Sequence, residues 1–343
     1  MDSPLLARTG AVPAQGIDAG VAAHYGDPYA EQRALARAAG LVDRSHRGVV
    51  RITGEDRLSW LHSLTTQDLA HLEPGSAAQA LLLSPQGHIE HHLTLVDDGT
   101  AVWAHVEPGT AAELLAFLES MRFLLRVEPA DVTGDYAVLT LMGPGRPGTP
   151  PDAAVAAMPD SFGTDLVVPR DRLAEVAAAA EHGGAAVAGL AAYEALRIAA
   201  HRPRFGLDTD HRTLPHEVGW IETAVHLNKG CYRGQETVAR VHNLGHPPRR
   251  LIMLHLDGSE DRLPEHGAPV TRDDTPVGFV GSAARHFELG PVGLALIKRT
   301  VPVDAALRAG GVPAAQEVVV PPDAGGNVTI TLKRRGALAR PGN

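Results

Sequence analysis

Apolar positions recur along this chain with two periods, about 3.6 and 2, and segments of the two kinds alternate. After Pro28 the run YAEQRALARAAG predicts a helix stopped by Gly40. Residues 49–53 alternate like a strand. Thr53 with Asp56 three residues on reads as the start of a helix over EDRLSWLHSL. Residues 80–83 and 89–96 predict strands joined by the turn Ser84-Pro85-Gln86-Gly87, and Asp97-Asp98-Gly99 turns the chain into a third strand over 101–106. An amphipathic helix is predicted over 110–124, with Leu114, Leu115 and Leu118 at core spacing. A buried strand over 137–142, a loop over 143–151 and a short strand over 165–168 follow. Helices are predicted from 169 to about 182 and over 189–200.

After His246-Pro247-Pro248 the texture changes. Short apolar runs at 251–256, 269–280, 292–298 and 328–332, split by Gly, Pro and Asp, predict a small all-β module, barrel or sandwich. Upstream, helices mixed with hairpins predict an α+β body rather than a doubly wound parallel sheet. The expected division is a flexible leader over 1–25, a body over 26–246, a β module over 247–335 and a tail over 336–343.

Composition narrows the function classes. The chain has 343 residues, 44% of them hydrophobic and 21% charged, which excludes disorder for most of its length. The first residues lack a positive segment followed by an apolar core, and no apolar run is long enough to span a bilayer, so neither a signal peptide nor a membrane partner is expected. A net charge of -9 argues against direct nucleic-acid binding. The single cysteine, Cys231, permits no intramolecular disulfide and fits a reducing compartment, the cytoplasm. His88, His91 and His92 lie close together, and His242 and His246 follow Cys231. On a strand, though, His91 faces away from His88 and His92, and no H-E-x-x-H or paired C-x-x-C occurs, so no metal site is expected.

The most unusual segment is Lys229-Gly230-Cys231-Tyr232-Arg233-Gly234-Gln235-Glu236. Two glycines bracket the thiol, and two cations flank it. Nearby cations favour thiolate, which makes a cysteine nucleophilic or metal-binding; the alternative is a buried cysteine acting as a small hydrophobe. A permanent iron–sulfur cluster normally takes about four thiolates, so one thiol holds a cluster only transiently or with help.

This octapeptide resembles the Lys-Gly-Cys-Tyr/Phe-x-Gly-Gln-Glu signature of the YgfZ-type folate-binding proteins, relatives of the glycine cleavage T-protein (aminomethyltransferase). Further matches to that family are Val42-Asp43-Arg44-Ser45-His46-Arg47-Gly48-Val49-Val50-Arg51-Ile52-Thr53-Gly54, Trp60-Leu61-His62-Ser63-Leu64-Thr65-Thr66-Gln67-Asp68, Leu83-Ser84-Pro85-Gln86-Gly87-His88-Ile89, and the stretch from Arg197 through Asp208 to Glu217. The resemblance implies an α+β, three-lobed body with a central folate cleft and a C-terminal β-barrel lobe. It implies tetrahydrofolate or a related folate as the ligand, and transient partnership with iron–sulfur proteins or their assembly factors in the cytoplasm, with any effect on tRNA modification indirect.

Where T-proteins carry Gly-Gly-Ile-x-Asp-Asp, with the first Asp serving aminomethyl transfer, this chain has Gly87-His88-Ile89-Glu90-His91-His92. Imidazole cannot supply that negative charge, so a folate-binding factor is expected before an enzyme. The alternative is a tetrahydrofolate-dependent one-carbon transferase of the aminomethyltransferase or demethylase type. The residues expected to act are Cys231 as the reactive group, with Lys229, Tyr232, Arg233, Gln235 and Glu236 around it. In Thr164-Asp165-Leu166-Val167-Val168-Pro169, Asp165 matches the family's pterin-binding carboxylate. Arg197, Asp208 and Glu217 match charged family positions; each equally suits a structural ion pair.

Overall fold

A computed structural model describes residues 1–146, 152–260 and 262–327. The strand expected at 328–332 and the tail over 336–343 lie outside the described residues. One five-stranded sheet has the order Ala77–Leu83, Ile89–Asp97, Ala101–Val106, Gly48–Thr53, Glu128–Asp131, antiparallel throughout. A second has the order Ala156–Pro159, Thr164–Pro169, Tyr136–Met142, Gly40–Asp43, Ala186–Ala188, with only the last pair parallel. The third lobe is a closed barrel of six strands, Arg249–Leu256, Gly290–Lys298, Thr275–His286, Pro269–Arg272, Leu307–Ala309 and Val312–Val318.

Side-chain alternation explains why these layers pack. In Ile89–Asp97, Leu93 and Leu95 enter a core with Trp60, Leu61, Leu114 and Leu118 from the two flanking helices, Arg57–Leu64 and Ala111–Ser120. On the opposite face, Val96 meets Val138, Met158 and Val167 of the second sheet. The barrel repeats the logic. Ile252, Leu254 and Leu256 fill its interior, while Leu251 and Met253 point outward against Ala195, Ile198 and Trp220 of the body.

The first 25 residues differ from the expected flexible leader. They form a 3-10 turn, Pro4–Ala7, and a strand pair, Val12–Pro13 with Ala22–His24. Leu5 and Val21 are buried, and the Ser3 hydroxyl donates to Asp43. Isolated anchors of this kind leave no periodic trace in the sequence. The helix expected over 110–124 ends at Ser120, and Phe123 adopts a left-handed φ of 47° in solvent. Among the described residues no helix is long and apolar enough to cross a membrane.

Candidate functional site

A cavity of about 450 Å³ lies between the two sheets and the helix Leu190–Ala199. Its wall is polar because four segments each bring in charge. The loop between the strands Gly40–Asp43 and Gly48–Thr53 carries Arg44 and Arg47; Ala101–Val106 leads in with His105 and Glu107; Thr164–Pro169 brings Asp165; the helix brings Tyr193 and Arg197.

These groups form one chain of buried contacts. Asp165 Oδ1 accepts from Arg44 Nη1 at 2.9 Å and from Thr140 Oγ1 at 2.6 Å, and Oδ2 lies 2.8 Å from His105 Nε2. Arg47 Nε donates to His105 Nδ1 at 2.9 Å, which leaves the ring proton on Nε2, facing Asp165. Burial lowers the His105 pKa to about 4, so the ring is neutral. Burial would raise the Asp165 carboxyl, but Arg44 and the His105 and Thr140 hydrogen bonds outweigh it and hold the pKa far below the carboxylate range. Arg47 continues to Glu107 at 2.7 Å, and Arg204 gathers Glu107, Glu194 and Asp18 at 2.8, 3.0 and 2.9 Å. Arg197 bridges Glu194 and Asp208, and Ser282 of the barrel donates to Asp208 at 2.6 Å. The charged chain therefore touches all three lobes.

The strand Ile89–Asp97 presents His92 and Thr94 to the cavity. The His92 ring stacks on Trp220 at 4.3 Å, and burial lowers its pKa to about 3. His91, which the resemblance sets against the T-protein transfer Asp, has the parity of Leu93 and Leu95 and is buried on the far face, 6.4 Å from Phe205. Glu90 pairs with Arg233 at 3.0 Å. Neither histidine replaces a carboxylate in the cavity. Asp68 is the wall carboxylate that no arginine holds. Its Oδ1 lies 3.0 Å from His62 Nδ1 and its Oδ2 3.4 Å from His71 Nδ1, so its side chain meets only histidines. Burial raises the Asp68 pKa, and the His71 contact with the nearby His62 brings it net below the usual value.

The residues from Lys229 to Glu236 do not line this cavity. Cys231 is exposed. The flanking cations are engaged elsewhere: Lys229 Nζ donates to the carbonyls of His62, Thr65 and Gln67, the last two at 2.6 and 2.9 Å, and Arg233 holds Glu90 and lies over the Phe117 ring at 5.6 Å. Lys229 thereby fixes the segment that carries Gln67 and Asp68 on the cavity wall. Tyr232 packs in the core with Leu81 and Val238. Gln235 opens the helix Gln235–Asn243, on which Glu236 pairs with Arg240. Glu217 is fully buried, outside the cavity. It accepts from the Leu214 N–H and holds Arg249 at 2.9 Å, tying body to barrel.

Of the expected site residues, Asp165 and Arg197 line the cavity. His105, Glu107 and Arg204 also line it and were not expected there, nor were Glu194 and Asp18, which hold Arg204 from outside the lining. The available signal was a histidine within, and a glutamate just after, the otherwise apolar strand Ala101–Val106, which is buried along its whole length. Among the described residues no three His, Cys, Asp or Glu side chains converge to hold a metal ion.

Comparison with known proteins agrees with this architecture. Residues 12–146 match the GCVT N-terminal domain, and residues 249–332 match the glycine cleavage T-protein C-terminal barrel domain. The chain carries both domains of the glycine cleavage T-protein, in that order. It is 27% identical over 309 residues to an aminomethyltransferase of Bacillus velezensis, covering 78% of this chain and 81% of the relative. It is 29% identical to one of Geobacillus kaustophilus, covering 79% and 82%. Its fold superposes on the glycine cleavage system aminomethyltransferase T of Bartonella henselae with a TM-score of 0.77 at 19% identity, over 93% of this chain and 96% of that one. The α+β body with a closed six-stranded barrel is thus the T-protein fold.

Proposed function

We propose that the central cavity binds a reduced folate, tetrahydrofolate or a close relative, and that the protein supports the assembly or repair of iron–sulfur proteins as a YgfZ-type member of the family, with Cys231 as its reactive thiol. The observation that carries this reading is the pair His91 and His92. One is turned away from the cavity and the other enters it as a neutral ring, so the strand offers no carboxylate for aminomethyl transfer.

The cavity suits a folate by size and lining. Its volume falls in the roughly 300–1,000 Å³ range of small-molecule sites. Tyr193 and the His92–Trp220 stack supply π surface for a flat heterocycle. Asp165 Oδ1 already accepts twice, so a two-point grip there displaces Arg44 or Thr140. Asp68, which no arginine holds, is the better acceptor for the pterin N–H donors, and Asp165 holds Arg44 and His105 in place. Arg202, a third exposed at the rim and paired with Asp160, suits the acidic tail. Bound tetrahydrofolate supplies nitrogen atoms that carry one-carbon units. Cys231 lies on the outer surface, where another protein's cluster or thiol can reach it, and Lys229 links its loop to the segment carrying Asp68.

The test is complementation of a strain lacking this protein. The wild type is expected to restore iron–sulfur enzyme activity and Cys231→Ser to fail; full rescue by Cys231→Ser removes the thiol from the reading. Calorimetry with tetrahydrofolate tests the ligand separately. A second reading, folate-dependent one-carbon transfer, is favoured by the ionised, arginine-free Asp68 and by the names of the relatives. Turnover of an N-methyl amine or an aminomethylated lipoyl donor with tetrahydrofolate, lost in Asp68→Asn, establishes it instead.

A further inference from the structure

The helix Leu190–Ala199 serves two cavities on neighbouring faces. Tyr193 and Arg197 line the central one. Leu190, Ala191 and Glu194 line another, of about 560 Å³, and the two cavities share no lining residue. The N-terminal segment adds Pro13 and Asp18 to this second cavity, the helix Pro28–Arg37 adds Tyr29, and the barrel strand Thr275–His286 adds Ala284. The lining is mostly apolar, and Tyr29, 40% exposed, contributes an aromatic ring. A cavity of this size, with a few polar groups set in apolar walls, has the character of a small-molecule site.

Three of its lining residues are charged: Asp18, Glu194 and, with the opposite sign, Arg285. The Asp18 and Glu194 side chains are 17% and 15% exposed, and neither lines the central cavity, so the surface they keep open belongs to this one. Burial would raise both carboxyls, but His46 and Arg204 beside Asp18, and Arg197 and Arg204 beside Glu194, outweigh it and hold both ionised. Arg204 reaches them from the central cavity, which it lines, and it does not line the second. Its Nη1 donates to Asp18 Oδ2 at 3.3 Å and to Glu194 Oε1 at 3.0 Å, the one hydrogen bond that each of these oxygens accepts among the described residues. A carboxylate oxygen has two lone pairs, so each keeps one. Both bonds end on the same nitrogen, so the two oxygens lie close enough for one further donor group to bridge them.

We propose that this cavity binds an organic cation, a primary ammonium group on an apolar stem. The ammonium donates to Asp18 Oδ2 and Glu194 Oε1, and the stem lies against Leu190, Ala284 and the Tyr29 ring. A neutral molecule with the same stem lacks the charge-assisted bonds, and an anion sets its charge against two carboxylates.

The test is calorimetric titration of the full chain near neutral pH with n-hexylamine, and separately with 1-hexanol and sodium hexanoate. Hexylamine is expected to bind, hexanol to be weaker by about tenfold or more, and hexanoate to show no binding. Asp18→Asn is expected to weaken hexylamine by about tenfold or more through loss of a charged acceptor. Ala191→Leu gives an independent variant that leaves both carboxylates and their arginines in place. Ala191 is half-buried on the cavity wall and leucine is a strong helix former, so the fold is kept while the larger side chain fills the cavity and abolishes hexylamine binding. Absence of hexylamine binding by the wild type overturns the proposal, and so does hexanol binding as tightly as hexylamine. Hexylamine affinity unchanged in Ala191→Leu overturns it too, because the amine then sits on carboxylates elsewhere, Asp68 of the central cavity among them. If Asp18→Asn does not fold, Ala191→Leu and the comparison with hexanol decide.

Discussion

Gly234 and Gly87 meet backbone to backbone. A Cβ on Gly234 would come within 2.9 Å of the Gly87 Cα and 2.6 Å of the Ser84 carbonyl oxygen. Both residues have left-handed φ angles, 83° and 82°. Two independent constraints, conformation and contact, therefore demand glycine where the Cys231 loop turns into its helix. Gly234→Ala is expected to cost about 2 kcal/mol or more. Gly99, at φ 92° with nothing within 4 Å, carries the conformational constraint alone, so Gly99→Ala should cost about 1 kcal/mol. Urea unfolding of the two variants separates contact from strain.

Arg204 is the hub of the buried charge. Removing it leaves Glu107 with Arg47 alone, Glu194 with Arg197 alone and Asp18 with His46 alone, three buried carboxylates each short of one partner, so Arg204→Met is expected to destabilise by about 3–5 kcal/mol. Arg204→Lys keeps the charge, but a single ammonium cannot satisfy three carboxylates approaching a planar fork, and most of the loss should remain. Arg126, largely exposed and paired with Glu55 and Asp56, is the contrast. Its replacement by Met should change stability by no more than about 1 kcal/mol.

His216 sets a pH dependence. It is buried and neither ring nitrogen has a partner among the described residues; burial, and then the nearby His242, lower its pKa from 6.5 to about 4. The unfolded chain takes up this proton below pH 6.5, whereas the folded chain does so only near pH 4. Stability is therefore lost as pH falls through that window, by up to about 1.4 kcal/mol per pH unit for this one group. His216→Leu should make the slope of unfolding free energy against pH shallower between pH 6.5 and 5. A slope remains, because His92 and His105 are lowered in the same direction.

Long, strictly alternating segments were legible before any coordinates. The strand expected over 89–96 is Ile89–Asp97, and the β texture after residue 247 is a closed barrel. Gly40–Asp43, Ala156–Pro159 and Ala186–Ala188 are too short to show a period, and they are strands because tertiary neighbours pair with them. The candidate site was legible only in part for a related reason. Arg44, His105, Asp165, Glu194 and Arg204 come from separate segments, and no local spacing announces their convergence. The segment around Cys231 misleads in the opposite way. Lys229 and Arg233 flank the thiol in sequence, yet one clamps three carbonyls and the other binds Glu90.

Asp165 and Asp68 should separate architecture from ligand recognition. Both line the central cavity, but Asp165 is locked by Arg44, Thr140 and His105, while Asp68 meets only His62 and His71. In Asp165→Asn an amide replaces an oxygen in a set of three donors, so an N–H must face Arg44 and Thr140 or His105. The expected loss is about 3 kcal/mol, measured by urea unfolding. Asp68→Asn leaves a partly exposed side chain with only histidine neighbours, and stability should move by less than about 1 kcal/mol. Its effect should fall on the ligand. If Asp68 takes the pterin donors, tetrahydrofolate affinity drops by about tenfold or more, because a ligand donor is left unpaired. The opposite pattern, with folate affinity lost in Asp165→Asn at unchanged stability and retained in Asp68→Asn, would mean that the ligand displaces Arg44 to reach Asp165. Calorimetry of both variants with tetrahydrofolate, read beside their unfolding curves, decides between the two carboxylates.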